Sequence, residues 1–260
     1  MKYPIINADD FGYSDHTVEW TIKCFDAGVL SSATIMVGAE ACKSAVDYAK
    51  NNPQWSYGLH LVLSDERPIC SPEKIPTMVT PQGLLWPTRS FMLRSMLGLI
   101  KREDLEKEIR AQVMRFYEYG LNMSHIDGHG HMHRMPFVLK SLIRLSEELK
   151  IHRLRPAQDV YFSTPRMPAG QWLNRFVNRP LKQHFKTPDH FLMTSGKVGP
   201  RQSEWFRDAV QNLPDGTTEI GIHPGVDEPW RELDTSFILE HGKHVLEQAH
   251  VRLVSYRDIH

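Results

Sequence analysis

Short runs rich in Ile, Leu and Val recur along the chain, and longer stretches with helical spacing separate them. Such runs of about five residues, with no polar face, predict buried parallel strands. They fall at Pro4–Ala8, Ser32–Val37, Tyr57–Leu63, Met123–Asp127, Arg153–Arg155, Glu219–His223 and Val251–Ser255. Between them, Ser14 is placed to cap a helix running to Ala27, with Gly28 as its stop. The stretch Glu103–Tyr119 puts Leu105, Ile109, Val113 and Phe116 on one face, with Gly120 behind it. Pro136–Leu149 and Ser236–Gln248 have the same character. Repeated strand and helix alternation without a long linker predicts one parallel α/β domain over residues 1–260, closed or nearly closed into a TIM-like barrel.

Two stretches break the rhythm. Residues 64–100 carry several prolines and then the apolar segment Phe91–Ile100. Residues 156–200 are rich in proline and aromatics. Both are expected to be variable insertions, and long insertions on such folds tend to lie over the functional face.

Composition narrows the function classes. The 31 Lys and Arg balance 31 Asp and Glu, which argues against a general nucleic-acid binder. The neutrality is not uniform, because residues 150–189 hold a local excess of six positive charges. That segment suits a solvated loop, or a lid or groove for an anionic or lipid-linked substrate. Three Cys with no CxxC spacing predict neither a disulfide framework nor a Cys-based zinc site. No window resembles a spanning helix, and the start lacks the apolar stretch of an export signal. With free thiols, this predicts a cytoplasmic location.

Candidate chemistry clusters where predicted strands end. Asp9 and Asp10 lie adjacent after the first strand, and their mutual repulsion would be relieved by a bound cation. On an extended chain they would point to opposite sides. His60 sits within the third strand. The run Ser124-His125-Ile126-Asp127-Gly128-His129-Gly130-His131-Met132-His133 is the strongest signal, since His and carboxylate are common metal ligands. His223 ends a strand before a Pro-Gly turn, a placement suited to a general acid or base. Each residue alone also fits an ordinary role: a helix cap for the Asp pair, a satisfied core imidazole for His60 or His223. Their joint placement at strand ends is what points to a metal-dependent hydrolase.

These segments resemble the YdjC-like carbohydrate deacetylases, which include chitooligosaccharide deacetylase and hopanoid-associated relatives. The resemblance rests on Asn7-Ala8-Asp9-Asp10-Phe11-Gly12, Gly58-Leu59-His60, the His125–His133 run, His223-Pro224-Gly225 and Ser255-Tyr256-Arg257-Asp258. It spans residues 4–258 and is weakest over 64–100 and 156–200. It implies a deformed (βα) TIM-like barrel and metal-dependent removal of an N-acetyl group from an amino sugar or glycoconjugate. By motif matching, Asp10, His60 and His129 would hold a divalent ion, Mg²⁺ or Zn²⁺. Asp9 would be the general base and His223 the general acid. His125, Asp127, His131, His133 and Arg155 are further candidates for contacts with substrate or with the ligands themselves, and His131 or His133 could replace His129. Gly128 stands where many relatives have Ser.

The implied partners are the sugar substrate and, as an allowed assembly, a second copy of the chain. The competing readings are another metal hydrolase such as a phosphoesterase, a glycosidase, and a sugar-binding relative without catalysis. A glycosidase would need carboxylates flanking the scissile bond, which adjacent Asp9 and Asp10 do not obviously provide.

Overall fold

The computed structural model describes residues 1–160, 169–193, 202–226 and 228–259. Among these residues six parallel strands form one sheet: β1 (Lys2–Phe11), β2 (Ser32–Ile35), β3 (Ser56–Leu61), β4 (Ile126–Gly128), β5 (His190–Met193) and β6 (Gly216–Ile222). Their spatial order is β4-β3-β2-β1-β6-β5, so β1 lies inside the sheet. Ile5, Ile6, Ala8, Ala33, Ile35, Leu59, Ile126, Ile220 and Ile222 are all buried, which explains the unbroken apolar runs.

Among the described residues eight helices accompany the sheet: α1 (Asp15–Asp26), α2 (Cys42–Asn51), α3 (Thr88–Met96), α4 (Arg102–Glu118), α5 (Pro136–Leu145), α6 (Ala169–His184), α7 (Gln202–Gln211) and α8 (Pro229–Gln248). Ser14 caps α1 through a reciprocal box with Thr17, and Gly28 beyond its end adopts φ +71°. The predicted stripe on α4, Leu105, Ile109, Val113 and Phe116, is wholly buried. Helix α8 begins earlier than expected, at Pro229, whose missing N–H costs nothing in the first turn.

Three expectations are corrected. Arg153–Arg155 is not a full strand: Leu154 bridges Ile126 of β4, and Arg153 bridges Lys186. Val251–Ser255 forms no strand, and its link to the sheet is a hydrogen bond from the Val254 N–H to the Pro4 carbonyl. The sixth strand is instead β5, inside the stretch expected to be an insertion. Among the described residues the sheet is thus a curled six-stranded one rather than a ring of eight. Residues 152–160 connect its two edges, since Arg155 N–H bonds Ile126 and Asp159 N–H bonds Phe191 of β5. Parts of the expected 156–200 insertion, residues 161–168 and 194–200, lie outside the described residues.

Candidate metal and acid–base site

The C-terminal ends of β1, β3, β4 and β6 converge, and parallel register sets the first pair of side chains. His60 of β3 is registered beside Asp127 of β4. Its Nδ1 lies 2.7 Å from Asp127 Oδ1. Thr34 of β2 donates to the other Asp127 oxygen at 2.9 Å. Asp127 therefore orients the His60 ring and leaves Nε2 facing Asp10 Oδ1 at 3.1 Å. A carboxylate behind a histidine is a recurrent arrangement at metal ligands.

Asp10 has φ +58°, a left-handed conformation that few non-glycine residues adopt. That twist ends the alternation of the strand, so Asp9 and Asp10 both reach His60. His129 follows β4 and opens a short, kinked 3₁₀ turn in which Gly130 and His131 are also left-handed. Its Nδ1 lies 3.2 Å from Asp10 Oδ1, and the ring is partly exposed.

Ligand atoms of Asp10, His60 and His129 all lie within 4.8 Å of one another. One carboxylate and two imidazoles are a donor set suited to a divalent transition ion with open positions. The electrostatics agree. Burial pushes against a charged His60, yet the Asp127 and Asp10 carboxylates hold its pKa up to about 10. The buried acids Asp9, Asp10 and Asp127 outnumber the buried guanidiniums of Arg155 and Arg231 by one, before Glu219 is counted. A cation in place of the His60 Nε2 proton would meet the same negative field.

Asp9 is held from behind. Arg155 Nη1 donates to Asp9 Oδ2 at 2.7 Å, and Nη2 to Oδ1 at 2.6 Å. Asn7 Nδ2 adds a bond to Oδ1 at 2.9 Å. Burial alone would raise the Asp9 pKa, but the Arg155 charge and hydrogen bonds keep it far below the usual carboxylate range. Asp10 is likewise lowered against its burial, by hydrogen bonds from His129 and His60. His223 Nε2 stands 3.9 Å from Asp9 Oδ2, with its ring edge-on to Trp230. Burial lowers its pKa, with the Asp9 and Asp10 charges opposing.

Arg155 also reaches Asp127 Oδ2 at 2.8 Å and Glu219 Oε1 at 2.6 Å. Two other acid and histidine groupings, Asp9-His60-Asp127 and His125-Asp127-Glu219, therefore already surround a guanidinium. A second cation there would be repelled, which weighs against a two-metal phosphoesterase.

The remaining candidates divide. His125 is not at the mouth: it stacks on Tyr256 at 3.4 Å, and Ser124 Oγ lies 2.9 Å from its Nδ1. His133 is fully buried and is not one of the donors grouped with Asp10. His131 contacts His133 and Phe191 edge-on. Arg231 carries no signal in the sequence, yet its Nη2 donates to Asp10 Oδ2 at 2.6 Å. Glu219 had one, an acid inside an apolar strand. It binds Arg155 and accepts a hydrogen bond from the Tyr256 hydroxyl.

A family model described as YdjC-like protein matches residues 4–252. A protein of Geobacillus stearothermophilus named carbohydrate deacetylase is 36% identical over 171 residues, 62% of this chain and 66% of that protein. One of the same name from Halalkalibacterium halodurans is 32% identical over 238 residues, 88% of this chain and 87% of that protein. The chain thus spans just under two-thirds of the Geobacillus relative and 56% of a third, from Brevibacillus brevis. An Enterococcus faecalis structure described as a cellobiose-phosphate cleavage protein superposes with a TM-score of 0.79 at 22% identity, covering 98% of this chain and 97% of that one, and so shares the fold. With the motif-bearing strand ends and the family model both spanning nearly all of the sequence, the chain belongs to the YdjC-like protein family.

Proposed function

We propose that this protein removes an N-acetyl group from an amino sugar or N-acetylated glycoconjugate, releasing acetate in a metal-dependent reaction. The observation that carries the reading is the Asp10, His60 and His129 donor set lying beside an Asp9 carboxylate locked by Arg155. The relatives named carbohydrate deacetylase support the choice of reaction.

Asp10, His60 and His129 would hold a divalent ion, with two imidazoles favouring Zn²⁺ over Mg²⁺. When bound, such an ion supplies Lewis-acid polarisation of a carbonyl and a lowered pKa for water. Asp9 is the general base. Both its oxygens are tethered to Arg155, so one orientation of the carboxylate is presented and no reorganisation is needed during proton transfer. It takes a proton from the attacking water as the C–O bond forms. His223 is the general acid: its Nε2 gives a proton to the leaving nitrogen as the C–N bond breaks. Because His223 and Asp9 stand 3.9 Å apart, the proton gained by one can be returned through the other between turnovers. Asp127 and Thr34 keep the His60 ring fixed throughout.

The test is acetate release from N-acetylglucosamine, chitobiose and nucleotide- or lipid-linked N-acetyl sugars, with and without chelator. Release that chelator abolishes and added Zn²⁺ or Mg²⁺ restores is the expected result. A metal-loaded enzyme silent on the whole panel would overturn the reaction class.

A further inference from the structure

Helix α3 leaves an unusual surface. Of its nine residues, Phe91 alone is buried. Met92, Leu93, Met96 and Leu97 are 42%, 58%, 80% and 62% exposed, and Leu99 just beyond is 48% exposed. At 100° per residue Met92, Leu93 and Met96, with Leu97 at the helix end, fall within one face opposite Phe91. Arg94 stacks over Trp86 at 4.1 Å and pins the helix to the body from the other side. Contiguous exposed apolar residues of this kind mark interaction surfaces, and Met suits an adaptable one.

The charges around the patch select its partner. Residues 87–102 contain Arg89, Arg94, Lys101 and Arg102 and no acid. Arg102 is engaged with Glu103 and Glu106, whereas Arg89 and Lys101 are exposed at the two ends of the patch. An apolar face bordered by cations matches an anionic lipid interface. A second copy of the same face would bring like charges together. No described helix is long and apolar enough to cross a membrane, so the element would lie in the surface plane. Its first residue, Thr88, sits beside Gly130, next to the candidate ligand His129, and is tied to Asp65. The helix that carries the patch therefore starts at the rim of the site.

We propose that α3 and residues 97–101 dock this protein reversibly onto an anionic lipid surface, with the site mouth at that surface. The docking is independent of the reaction assigned above, since its readout is binding and not turnover.

The experiment is co-sedimentation of the intact protein with vesicles of equimolar phosphatidylcholine and phosphatidylglycerol, or of phosphatidylcholine alone. Binding is expected to the anionic vesicles, weaker to the neutral ones, and reduced by salt. The double variant Leu93→Ser/Met96→Ser changes only exposed side chains, so its circular dichroism should match that of the native chain, and it should bind at least about tenfold less tightly. Arg89→Gln and Lys101→Gln should each cost about fivefold, on the anionic vesicles only. Absence of sedimentation at low salt, or unchanged binding in the double variant, would overturn the proposal. So would a concentration-dependent dimer of the native chain that Leu93→Ser/Met96→Ser abolishes, since the face would then be a protein interface.

Discussion

Arg155 and Asp9 form a buried two-pronged ion pair, the guanidinium reaching both carboxylate oxygens at 2.7 and 2.6 Å. The same guanidinium meets Asp127 and Glu219, so three carboxyls depend on one cation. Removing it leaves buried charges unpaired. Arg155→Gln is expected to destabilise the fold by about 3–5 kcal/mol. Arg155→Lys should recover part of that loss, because a lysine offers charge without the planar fork. Denaturant midpoints of the three proteins check this. Equal midpoints would mean that Arg155 does not hold the acids together.

The ligand assignment predicts metal content. His60→Ala and His129→Ala should each lose bound metal on gel filtration, whereas His131→Ala should keep it, because His131 lies outside the Asp10 cluster. Asp127→Asn is expected to weaken metal affinity by about 10–100-fold, since Asp127 orients His60 without joining that donor set. Elemental analysis per chain distinguishes these outcomes. Depletion in His131→Ala with retention in His129→Ala would move the third ligand to His131.

Much of this was legible in the sequence because its signals are local. Apolar runs gave β1, β3 and β6, and a Ser cap with a trailing glycine gave α1. Four-residue β5 was hidden within a basic, proline-bearing segment, where its pairing with β6 is a tertiary event. Conversely, Val251–Ser255 has strand-like alternation, but Val254 packs against the cluster of Ile5, Tyr256 and Ile259 instead of joining the sheet. The site divides the same way. Strand-end Asp and His stand out along the chain, while Arg231 is 221 residues from Asp10 and meets it only after folding. Thr34 has no distinguishing pattern around it, and the motif holding Tyr256 marks the family without revealing that its hydroxyl meets Glu219.

His223 is partly open to solvent and stands across from Asp9 without touching the three-ligand cluster. Its loss should therefore spare metal binding and strike turnover. His223→Ala is expected to lower kcat by about 10²–10⁴-fold with metal content unchanged. Steady-state kinetics on an accepted N-acetyl sugar, with metal analysis of the same sample, separates this from a binding defect. Full kcat in the variant would remove His223 from proton transfer.

Glu219 makes a pH-dependent prediction about stability. Its carboxyl is pushed up from 4.5 to about 7, burial being the main cause, and Arg155 and the Tyr256 hydroxyl offset it only in part. Between those values the folded state binds more protons than the unfolded one, so stability falls as pH rises from 4.5 to 7. Such a shift corresponds to about 3 kcal/mol. Below 4.5 the group is protonated in both states and contributes nothing to the slope. Asp9 and Asp10 are shifted downward, so their contributions change below that window. Glu219→Gln keeps an oxygen for Arg155 but cannot ionise. In metal-free protein, the difference in unfolding free energy between native chain and variant should change across pH 4.5–7 in the variant's favour. It should then stay level at higher pH, with the His60 contribution common to both. Tyr256→Phe removes one donor from the Glu219 carboxylate and should move the midpoint of that change to higher pH. Denaturant titrations at several pH values read both effects. A difference that is flat from pH 4.5 to 7 would show that Glu219 ionises in the fold as it does in the unfolded chain.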